Sequence, residues 1–361
     1  MDILSSDFTY FDFCAGIGGG HTALSRLGGK CVGFSEIDSK AESTYRLIND
    51  LDDQNLENWG DLTTIDTNTL PNFDLMIGGF PCQAFSIVGN RKGMEDKRGR
   101  IIFGLDRILA EKSIKFFILE NVKGLVNHAN RTTMKKVLTL LHNSGYRVWW
   151  QVLKSSDYGI PQIRERVYLV GARSDLLDEP FDFKFPEPTG MDKQLNECLI
   201  DNEASLIFNE QSKNWDTFTR YLSNKYNTGL FSIDDLRDKE YRILDWRQSD
   251  LRIYEGECPT LRTNRHGILY VKNGEFRRLS GKESLLLQGF GCDQANSVGH
   301  ISNTTLLSQA GNAFTVDVIE ILAKCMIEQF HMGTLGKTSE MSEDSPMQPM
   351  LWDIEHNAIP A

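Results

Sequence analysis

The chain carries near its start the stretch FTYFDFCAGIGGG, residues 8–20, in which a run of aromatic and apolar residues leads directly into glycines. An apolar run that ends in glycine indicates a buried β-strand followed by a tight turn. Glycines at this place let a ligand approach the backbone, and a helix beginning after them would offer free N–H groups. Taken alone, the loop is equally compatible with an ordinary tight turn.

Outward from this stretch, short apolar runs alternate with amphipathic ones as far as about residue 173. The apolar runs predict buried strands at residues 8–13, 31–34, 73–78, 116–119, 146–152 and 167–171. The amphipathic runs predict helices at residues 22–27, 41–47, 101–111, 132–143, 283–288 and 315–330. Strands that alternate with helices indicate an α/β, doubly wound (Rossmann-like) fold with a mostly parallel sheet covered on both faces.

The pattern changes near Pro180, where Pro180, Pro186 and Pro188 lie close together and the regular alternation stops. We therefore predict that residues 1–180 and residues 283–332 together form the first domain. Between them, residues 181–282 form a smaller, irregular domain. The Ser-, Met-, Glu- and Pro-rich residues 333–361 form a flexible acidic tail.

The composition is that of an ordinary globular protein, with 361 residues of which 40% are hydrophobic and 25% charged. It excludes a disordered, collagen-like or disulfide-stapled chain. No apolar run approaches the roughly 20 residues of a membrane helix, and the first residues lack the regions of a signal peptide. We therefore expect a cytoplasmic protein without membrane contact. The seven cysteines form no Cys-x-x-Cys pair, so no metal site is predicted.

The net charge of −11 argues against a nucleic-acid partner when it is taken alone, because phosphate binding requires a basic surface. The charge is unevenly distributed, however. Residues 237–282 hold eleven Lys or Arg and seven Asp or Glu, and residues 89–100 hold five and two. Residues 340–361 hold five acidic residues and no Lys or Arg. Two basic segments thus remain candidates for contact with phosphates.

The second predicted strand ends in Ser35-Glu36-Ile37-Asp38, which places a carboxylate about 20 positions after the glycine loop. From this position a carboxylate accepts the hydroxyls of a ribose. Because the loop lacks the G-x-G-x-x-G spacing of a pyrophosphate cradle, S-adenosylmethionine fits better than a dinucleotide. Asp61 is a candidate acceptor for an adenine amino group and an equally good turn residue.

A cysteine follows the third predicted strand, in GGFPCQAFS at residues 78–86. Doubly wound sheets bind ligands at the carboxyl ends of their strands. Neighbouring cations and oriented N–H groups would favour a thiolate there, so Cys82 is placed to be a nucleophile. The Gly-rich, basic residues 89–100 that follow are typical of a loop that closes over phosphates.

Two further segments place charged side chains at strand ends. ILENV, residues 118–122, carries Glu120 at the end of an apolar strand, where it is suited to donate a proton. YGIPQIRER, residues 158–166, carries Arg164 and Arg166 at alternate positions, so that they share a face of the strand. This spacing suits contact with an anion or a base edge. The alternative is a structural ion pair between these arginines and Glu120.

In order and spacing, these segments resemble those of DNA (cytosine-5)-methyltransferases of the bacterial restriction–modification type. The resemblance continues in RRLSGKE at 277–283, LQGF at 287–290 and QAGNAF at 309–314, and it covers residues 8–175 and 257–330. It implies an S-adenosylmethionine-dependent methyltransferase domain, with residues 181–282 as the target-recognition domain. It also implies a nucleoid-associated bacterial enzyme that acts as a monomer on a specific duplex DNA sequence, with a possible cognate restriction endonuclease.

The resemblance further implies the roles of individual residues. Cys82 would attack C6 of a flipped-out cytosine, Glu120 would bind and protonate N3, and Arg164 and Arg166 would hold the base. S-adenosylmethionine, released as S-adenosylhomocysteine, would be bound by Cys14, Ala15, Gly16, Ile17, Gly18, Gly19, Glu36, Ile37, Asp61, Leu62, Pro81, Asn312 and Ala313. The DNA would be contacted by Gln83, Ser86, Arg91, Lys92, Arg98, Arg252, Thr260, Arg262, Asn264 and Arg265.

One residue departs from the family pattern, because Cys14 stands where relatives usually have Phe. Phe13 and Phe80 are candidates to replace that aromatic contact with adenine. Three rival interpretations remain. An RNA (tRNA) cytosine-5 methyltransferase shares the same scaffold, an inactive relative would keep only the binding functions, and an oxidoreductase would explain the glycine loop and Glu36 alone.

Overall fold

The computed structural model describes residues 8–51, 56–80, 100–178, 180–222, 231–246, 251–263 and 267–332. These residues form a six-stranded sheet, a four-stranded sheet and a two-stranded one, with helices packed around them. The helices are α1 (Gly19–Arg26), α2 (Ser39–Ile48), α3 (Arg100–Lys112), α4 (Gly124–Asn127), α5 (Thr132–Asn143), α6 (Leu195–Cys198), α7 (Trp215–Leu222), α8 (Ile233–Arg237), α9 (Gly281–Leu286), α10 (Cys292–Ser297), α11 (Asn303–Asn312) and α12 (Val316–Gln329). The strands are β1 (Thr9–Phe13), β2 (Lys30–Ser35), β3 (Leu75–Gly79), β4 (Phe116–Val122), β5 (Tyr146–Lys154), β6 (Gln162–Ile163), β7 (Glu165–Arg173), β8 (Ile243–Trp246), β9 (Leu251–Tyr254), β10 (Cys258–Pro259), β11 (Ile268–Lys272) and β12 (Glu275–Arg278).

Six strands form the main sheet, in the order β2-β1-β3-β4-β7-β5. β2, β1, β3 and β4 are parallel neighbours, whereas β7 is antiparallel to both β4 and β5. Successive side chains of a strand point to opposite faces. Tyr10 and Ile118 lie in the apolar core on one face, and Phe11 and Phe117 lie in the core on the other. The predicted doubly wound sheet, mostly parallel and covered on both faces, is thus confirmed.

The predicted strands and helices of the main sheet are all present, with ends that differ by a few residues. The direction of β7 is the feature that the sequence does not reveal, because the apolar pattern of a buried strand is the same in either direction. Since β7 is antiparallel to β4, its first residues lie at the edge where β4 ends. Val122 pairs with Arg166, and Glu120 pairs with Tyr168.

The strand order reverses between β1 and β3, and a doubly wound sheet forms its ligand crevice at the carboxyl ends of the strands on either side of such a point. The glycine loop lies there, and α1 begins after Gly18, whose φ of 86° is a left-handed conformation that glycine adopts without strain. α2 begins nearby, and Asp38 caps it by accepting hydrogen bonds from the N–H groups of Lys40 and Ala41. Both helix N-termini therefore face the same edge of the sheet.

The second sheet is antiparallel, with the order β12-β11-β8-β9. It encloses with α7 and α8 a separate apolar core, which includes Phe208, Trp215, Phe218, Leu236, Leu244, Leu269, Val271 and Phe276. The preceding segment packs instead into the core of the main sheet, through Phe183, Leu195 and Leu199. The domain boundaries at residues 180 and 282 stay predictions, and residues 333–361 lie outside the described part of the chain.

Candidate active site

The glycine loop after β1 is shaped by left-handed backbone and by close packing. Cys14, Gly16 and Gly18 have φ angles of 52°, 56° and 86°. A Cβ atom at Gly18 would lie 2.4 Å from Nδ2 of Asn49, whereas one at Gly16 would meet no atom within 4 Å. The loop therefore packs against the end of α2 at Gly18 and faces open space at Gly16.

Glu36 follows β2, and backbone N–H groups of two different segments hold its carboxylate in place. Its Oε2 accepts a hydrogen bond from the N–H of Gly16 at 2.8 Å, and its Oε1 accepts one from the N–H of Asp38 at 2.8 Å. Asn58 holds the backbone of Glu36, because its side chain accepts from the N–H and donates to the carbonyl of that residue, both at 3.0 Å. Asn58 could not be predicted from the sequence, since no local motif marks it.

Asp61 adopts the turn role that the sequence left open beside the binding role. Its Oδ1 accepts hydrogen bonds from the N–H of Thr63 at 2.9 Å and from the Thr63 hydroxyl at 2.7 Å. Both of these bonds use Oδ1, so the turn leaves Oδ2 of Asp61 available to a ligand. Leu62, next in the chain, is buried in the core of the sheet.

The QAGNAF segment at residues 309–314 lies beside the glycine loop. A Cβ atom at Gly19 would lie 2.9 Å from the carbonyl oxygen of Phe314, so the two backbones are in contact. Asn312 is exposed and Ala313 is buried. Ala15 and Ile17 are buried as well, which leaves the backbone of the loop, not these side chains, facing the crevice.

Cys14 stays a neutral thiol in this environment. Burial raises its pKa far above the ordinary value, and the nearby carboxylates of Glu36, Asp12 and Asp61 raise it further. Phe13 and Phe80 are both buried in the core of the sheet, and a contact of either side chain with adenine stays a prediction.

The crevice fits a nucleoside-containing cofactor. Gly16 and Gly60 both have positive φ and face open space in which a Cβ atom would meet nothing within 4 Å. The Glu36 carboxylate lies beside this space, and the side chain of Ile37 is 75% exposed although it is apolar. A carboxylate suits ribose hydroxyls, and an uncovered aliphatic side chain suits the face of a base.

Glu120 and two arginines converge where β4 ends and β7 begins. Nε of Arg166 lies 3.0 Å from Oε1 of Glu120, and Nη2 of Arg164 lies 3.8 Å from the same oxygen. The side chains of Glu120 and Arg166 are 12% and 13% exposed. The ion pair that the sequence left open as an alternative is therefore present. Because the Glu120 side chain is still slightly exposed, its carboxylate is within reach of a ligand.

Arg164 differs from Arg166 because its guanidinium group bonds to carbonyls that are distant in the chain, whereas Arg166 donates to the carbonyl of its neighbour Glu165 at 2.8 Å. Nη1 of Arg164 donates to the carbonyls of Leu261 at 3.4 Å and Gly311 at 3.1 Å, and its Nη2 donates to that of Ala313 at 2.7 Å. The side chain is only 2% exposed. Burial and the nearby Arg166 lower the pKa of Arg164 to about 10, so it is still a cation at neutral pH.

Asn121 links Glu120 to the segment that carries the predicted nucleophile. Its Nδ2 donates to the carbonyl of Phe80 at 2.6 Å, and its Oδ1 accepts from the N–H of Val122 at 2.8 Å. Phe80 directly precedes Pro81 and Cys82 in the chain. In the sequence, the position of Asn121 next to Glu120 in ILENV is the signal for this role.

Several predicted residues lie outside the described part of the chain, namely Pro81, Cys82, Gln83, Ser86, Arg91, Lys92, Arg98, Asn264 and Arg265. The other predicted DNA contacts lie on separate elements. Arg252 is exposed on the edge strand β9, and Arg262 is exposed beyond β10. The hydroxyl of Thr260 donates to the carbonyl of Ile163, so this side chain is engaged within the protein.

In the ranges that the structure describes, no helix is long and apolar enough to cross a membrane. The same ranges contain no group of three or more His, Cys, Asp or Glu that could hold a metal ion.

A doubly wound sheet that carries a glycine loop and a carboxylate beside open space at its switch point is typical of enzymes that bind a nucleoside-containing cofactor. Comparison with known families makes the assignment specific: the chain belongs to the C-5 cytosine-specific DNA methylase family, whose model matches residues 8–328. It is therefore a DNA (cytosine-5)-methyltransferase, and the family uses S-adenosylmethionine.

The chain is similar to several type II methyltransferases. It is 33% identical to M.MspI of Moraxella sp over 90% of this chain and 71% of that protein. It is 31% identical to M.HhaI of Haemophilus parahaemolyticus over 87% and 92% of the two chains. Among solved structures, EhMeth of Entamoeba histolytica matches 89% of this chain and 98% of its own with a TM-score of 0.64 and 17% identity. At this low identity the likeness shows the fold alone.

Proposed function

We propose that this chain transfers a methyl group from S-adenosylmethionine to C5 of a cytosine that is flipped out of a specific duplex DNA sequence, as the modification enzyme of a restriction–modification system. Family membership supports the duplex substrate. The observation that carries the proposal is the meeting of Glu120 with Arg166, at 3.0 Å, on the edge of the sheet that also bears Glu36 and the glycine loop.

The chemistry of cytosine explains why such a set of groups is needed. C5 is a weak nucleophile until C6 carries an adduct. In the proposed reaction Sγ of Cys82 adds to C6, and N3 of the ring takes a proton from Glu120. The electron pair that becomes available at C5 would form the bond to the methyl carbon, whose bond to sulfur breaks so that S-adenosylhomocysteine is the leaving group. Loss of the C5 proton to a base, departure of the Cys82 thiolate and return of the N3 proton to Glu120 would then restore the neutral ring.

The two arginines have different tasks in this proposal. We assign contact with the base to Arg166, because its side chain is partly exposed and adjoins the Glu120 carboxylate. Arg164 is almost fully buried and already donates to three carbonyls, so it holds the surrounding backbone. A base must leave the stack to reach these groups, since C5 and C6 cannot be approached from both sides within a duplex.

The cofactor supplies an electrophilic methyl group when it is bound. The residues proposed to hold it are Gly16 and Gly18 at the methionine part, Glu36 at the ribose, and Ile37 with Asp61 at the adenine. Asn312 would close the crevice from the side of α11. The small thiol of Cys14 leaves that side of the adenine without an aromatic contact, so Ile37 provides the apolar contact that we expect.

The test is expression of the full chain in a methylation-deficient bacterial host, followed by bisulfite sequencing of plasmid DNA. Wild-type protein should protect cytosines at one short sequence, whereas Cys82→Ala should protect none because the covalent step is lost. Duplex DNA with 5-fluorocytosine at the mapped site should trap wild-type protein covalently. Turnover by the Cys82→Ala variant, or methylation of transfer RNA in place of the plasmid, would overturn the proposal.

The cellular context is part of the same proposal. A cognate restriction endonuclease would fail to cut plasmid that carries the modification, which a digestion of modified and unmodified plasmid measures. We expect the protein to act as a monomer, as light scattering of the DNA-free and DNA-bound forms would show. Its duplex substrate places it in the bacterial cytoplasm, at the nucleoid.

A further inference from the structure

Two segments that are distant in sequence meet at the buried guanidinium group of Arg164. Residues 261–263 lead toward the candidate base-reading residues, and residues 311–313 lie at the cofactor crevice. Arg164 donates to the carbonyl of Leu261 in the first segment and to those of Gly311 and Ala313 in the second. Because a guanidinium group is planar and its donors are fixed relative to one another, it holds both segments in one arrangement.

The two segments also touch each other directly. A Cβ atom at Gly311 would lie 2.4 Å from the carbonyl carbon of Arg262 and 2.5 Å from the backbone nitrogen of Thr263, so any side chain at 311 would push the segments apart. The hydroxyl of Thr263 donates to the side-chain oxygen of Asn312. Both of these side chains are exposed, so the contact lies at the surface of the crevice.

The first segment is anchored on its other side as well. The N–H of Cys258 donates to the carbonyl of Pro161 at 2.7 Å, and that of Leu261 donates to Oε1 of Gln162 at 3.2 Å. β10 pairs in parallel with β6 at the same place. Residues 258–263 therefore lie along the strand segment that leads into Arg164, and they have little freedom to move independently of it.

We propose that Arg164, Gly311 and the Thr263–Asn312 hydrogen bond couple the reading of the DNA target to the binding of the cofactor. This inference rests on the proposed function. Arg164 is then a positioning residue: it sets the place of the target-reading segment relative to the cofactor segment. Coupling of this kind is reciprocal, so a cognate duplex tightens cofactor binding by the factor by which the cofactor tightens DNA binding.

The coupling is measured by titrating the full chain with S-adenosylhomocysteine, alone and in the presence of a duplex oligonucleotide that carries the site mapped by bisulfite sequencing. For wild-type protein we expect the duplex to tighten binding by about fivefold or more. Thr263→Val should reduce this ratio by about twofold to tenfold, the value of one hydrogen bond. Thr263→Ser should restore it, and Gly311→Ala should abolish it by separating the two backbones.

A control is Thr219→Val in α7, where a half-buried threonine donates to the carbonyl of Asp216 within its own helix. This variant should keep the wild-type ratio. The inference is wrong if the duplex does not tighten binding to the wild type, or if Thr263→Val keeps the full ratio. These outcomes are distinct from failure of the proposed function, in which wild-type protein would leave the plasmid unmethylated and no site would be mapped.

Discussion

The main sheet and the second sheet use their charged residues in different ways. At the edge of the main sheet, Glu36 and Glu120 face a crevice and keep part of their surface available. In the second region, arginines cover the aromatic core: Arg237 lies 4.8 Å from the ring centre of Phe276, and Arg278 lies 4.7 Å from that of Phe208. Charge there stabilises the domain itself.

A net basic segment can therefore offer fewer cations to DNA than its count of Lys and Arg suggests. The excess of Lys and Arg between residues 237 and 282 includes Arg277, which donates to the carbonyls of Asp201 and Glu203. It also includes Arg242, which pairs with Glu255 at 3.1 Å. The DNA-reading role therefore falls on fewer residues than the charge count suggests.

The largest expected effect is that of Glu120→Gln, which should separate chemistry from target choice. We expect kcat to fall by about 10²- to 10⁴-fold, because the amide hydrogen-bonds the base but cannot deliver a proton. The methylated sequence should not change, as steady-state rates and methylation mapping would show. Glu165→Gln is the control, since Glu165 is an exposed neighbour that pairs with Lys123 at 2.7 Å. A changed target sequence would contradict the division between the two regions.

Glu283 joins the two regions and should make stability depend on pH. It accepts hydrogen bonds from the Tyr270 hydroxyl at 2.7 Å and from the N–H groups of Asp201 at 3.0 Å and Ser280 at 2.9 Å. Burial raises the pKa of Glu283 to about 7, against about 4.3 for a free glutamate. Between these two pKa values the folded protein holds a proton that the unfolded chain has released. The free energy of unfolding therefore falls as the pH rises through this range.

The expected loss from this group is about 3 kcal/mol between pH 4.5 and pH 7.5. Glu283→Gln removes the titrating group, so its unfolding free energy should fall less than that of the wild type over the same range. Denaturant titrations of both proteins at pH 4.5 and pH 7.5 measure the difference. Parallel pH profiles for the two proteins would show that Glu283 is ionised throughout.

A smaller effect is expected at the cofactor carboxylate. Glu36→Ala should weaken binding of S-adenosylhomocysteine by about 1.5–3 kcal/mol for each charge-assisted bond that is lost. Glu36→Gln keeps an oxygen for the N–H of Gly16 and should retain more affinity. Calorimetric titration measures both variants, and kcat at saturating cofactor should remain close to that of the wild type. A defect in kcat like that of Glu120→Gln would mean that the two carboxylates do not have separate roles.

The smallest effect is expected at the reading surface. Arg262→Ala should cost about 1–3 kcal/mol in DNA binding and relax the choice of base at one position, as the loss of a contact with a guanine edge does. Genome-wide methylation mapping checks this expectation. Arg278→Ala is the control, because this arginine stacks on Phe208 and should affect stability without changing the target. A uniform weakening across all sequences would assign Arg262 to a phosphate.

The sequence predicted the parts of the site that follow directly from strand ends. Glu36, Glu120 and the glycine loop each come immediately after a buried apolar run, and carboxyl ends of parallel strands meet at one edge. Asn58 and the carbonyl partners of Arg164 could not be predicted in this way. Arg164 bonds to carbonyls 97 to 149 positions away in the chain, and such contacts leave no local pattern. The direction of β7 was hidden for the same reason.

The candidate active site is built from two halves of the chain, which meet where β7 pairs with β4. Residues before Gly145 provide the glycine loop, Glu36 and Glu120, and residues after it provide both arginines and the segments that they hold. β5 and β7 pair along their whole length, and β7 pairs on its other side with β4. The second half of the chain therefore carries a strand pair that joins the first half through the contact between β7 and β4. If the two halves were made as separate polypeptides, the edge of one sheet would be the recognition surface for the other. Assembly of the halves and appearance of the carboxylate–guanidinium pair would then be a single event.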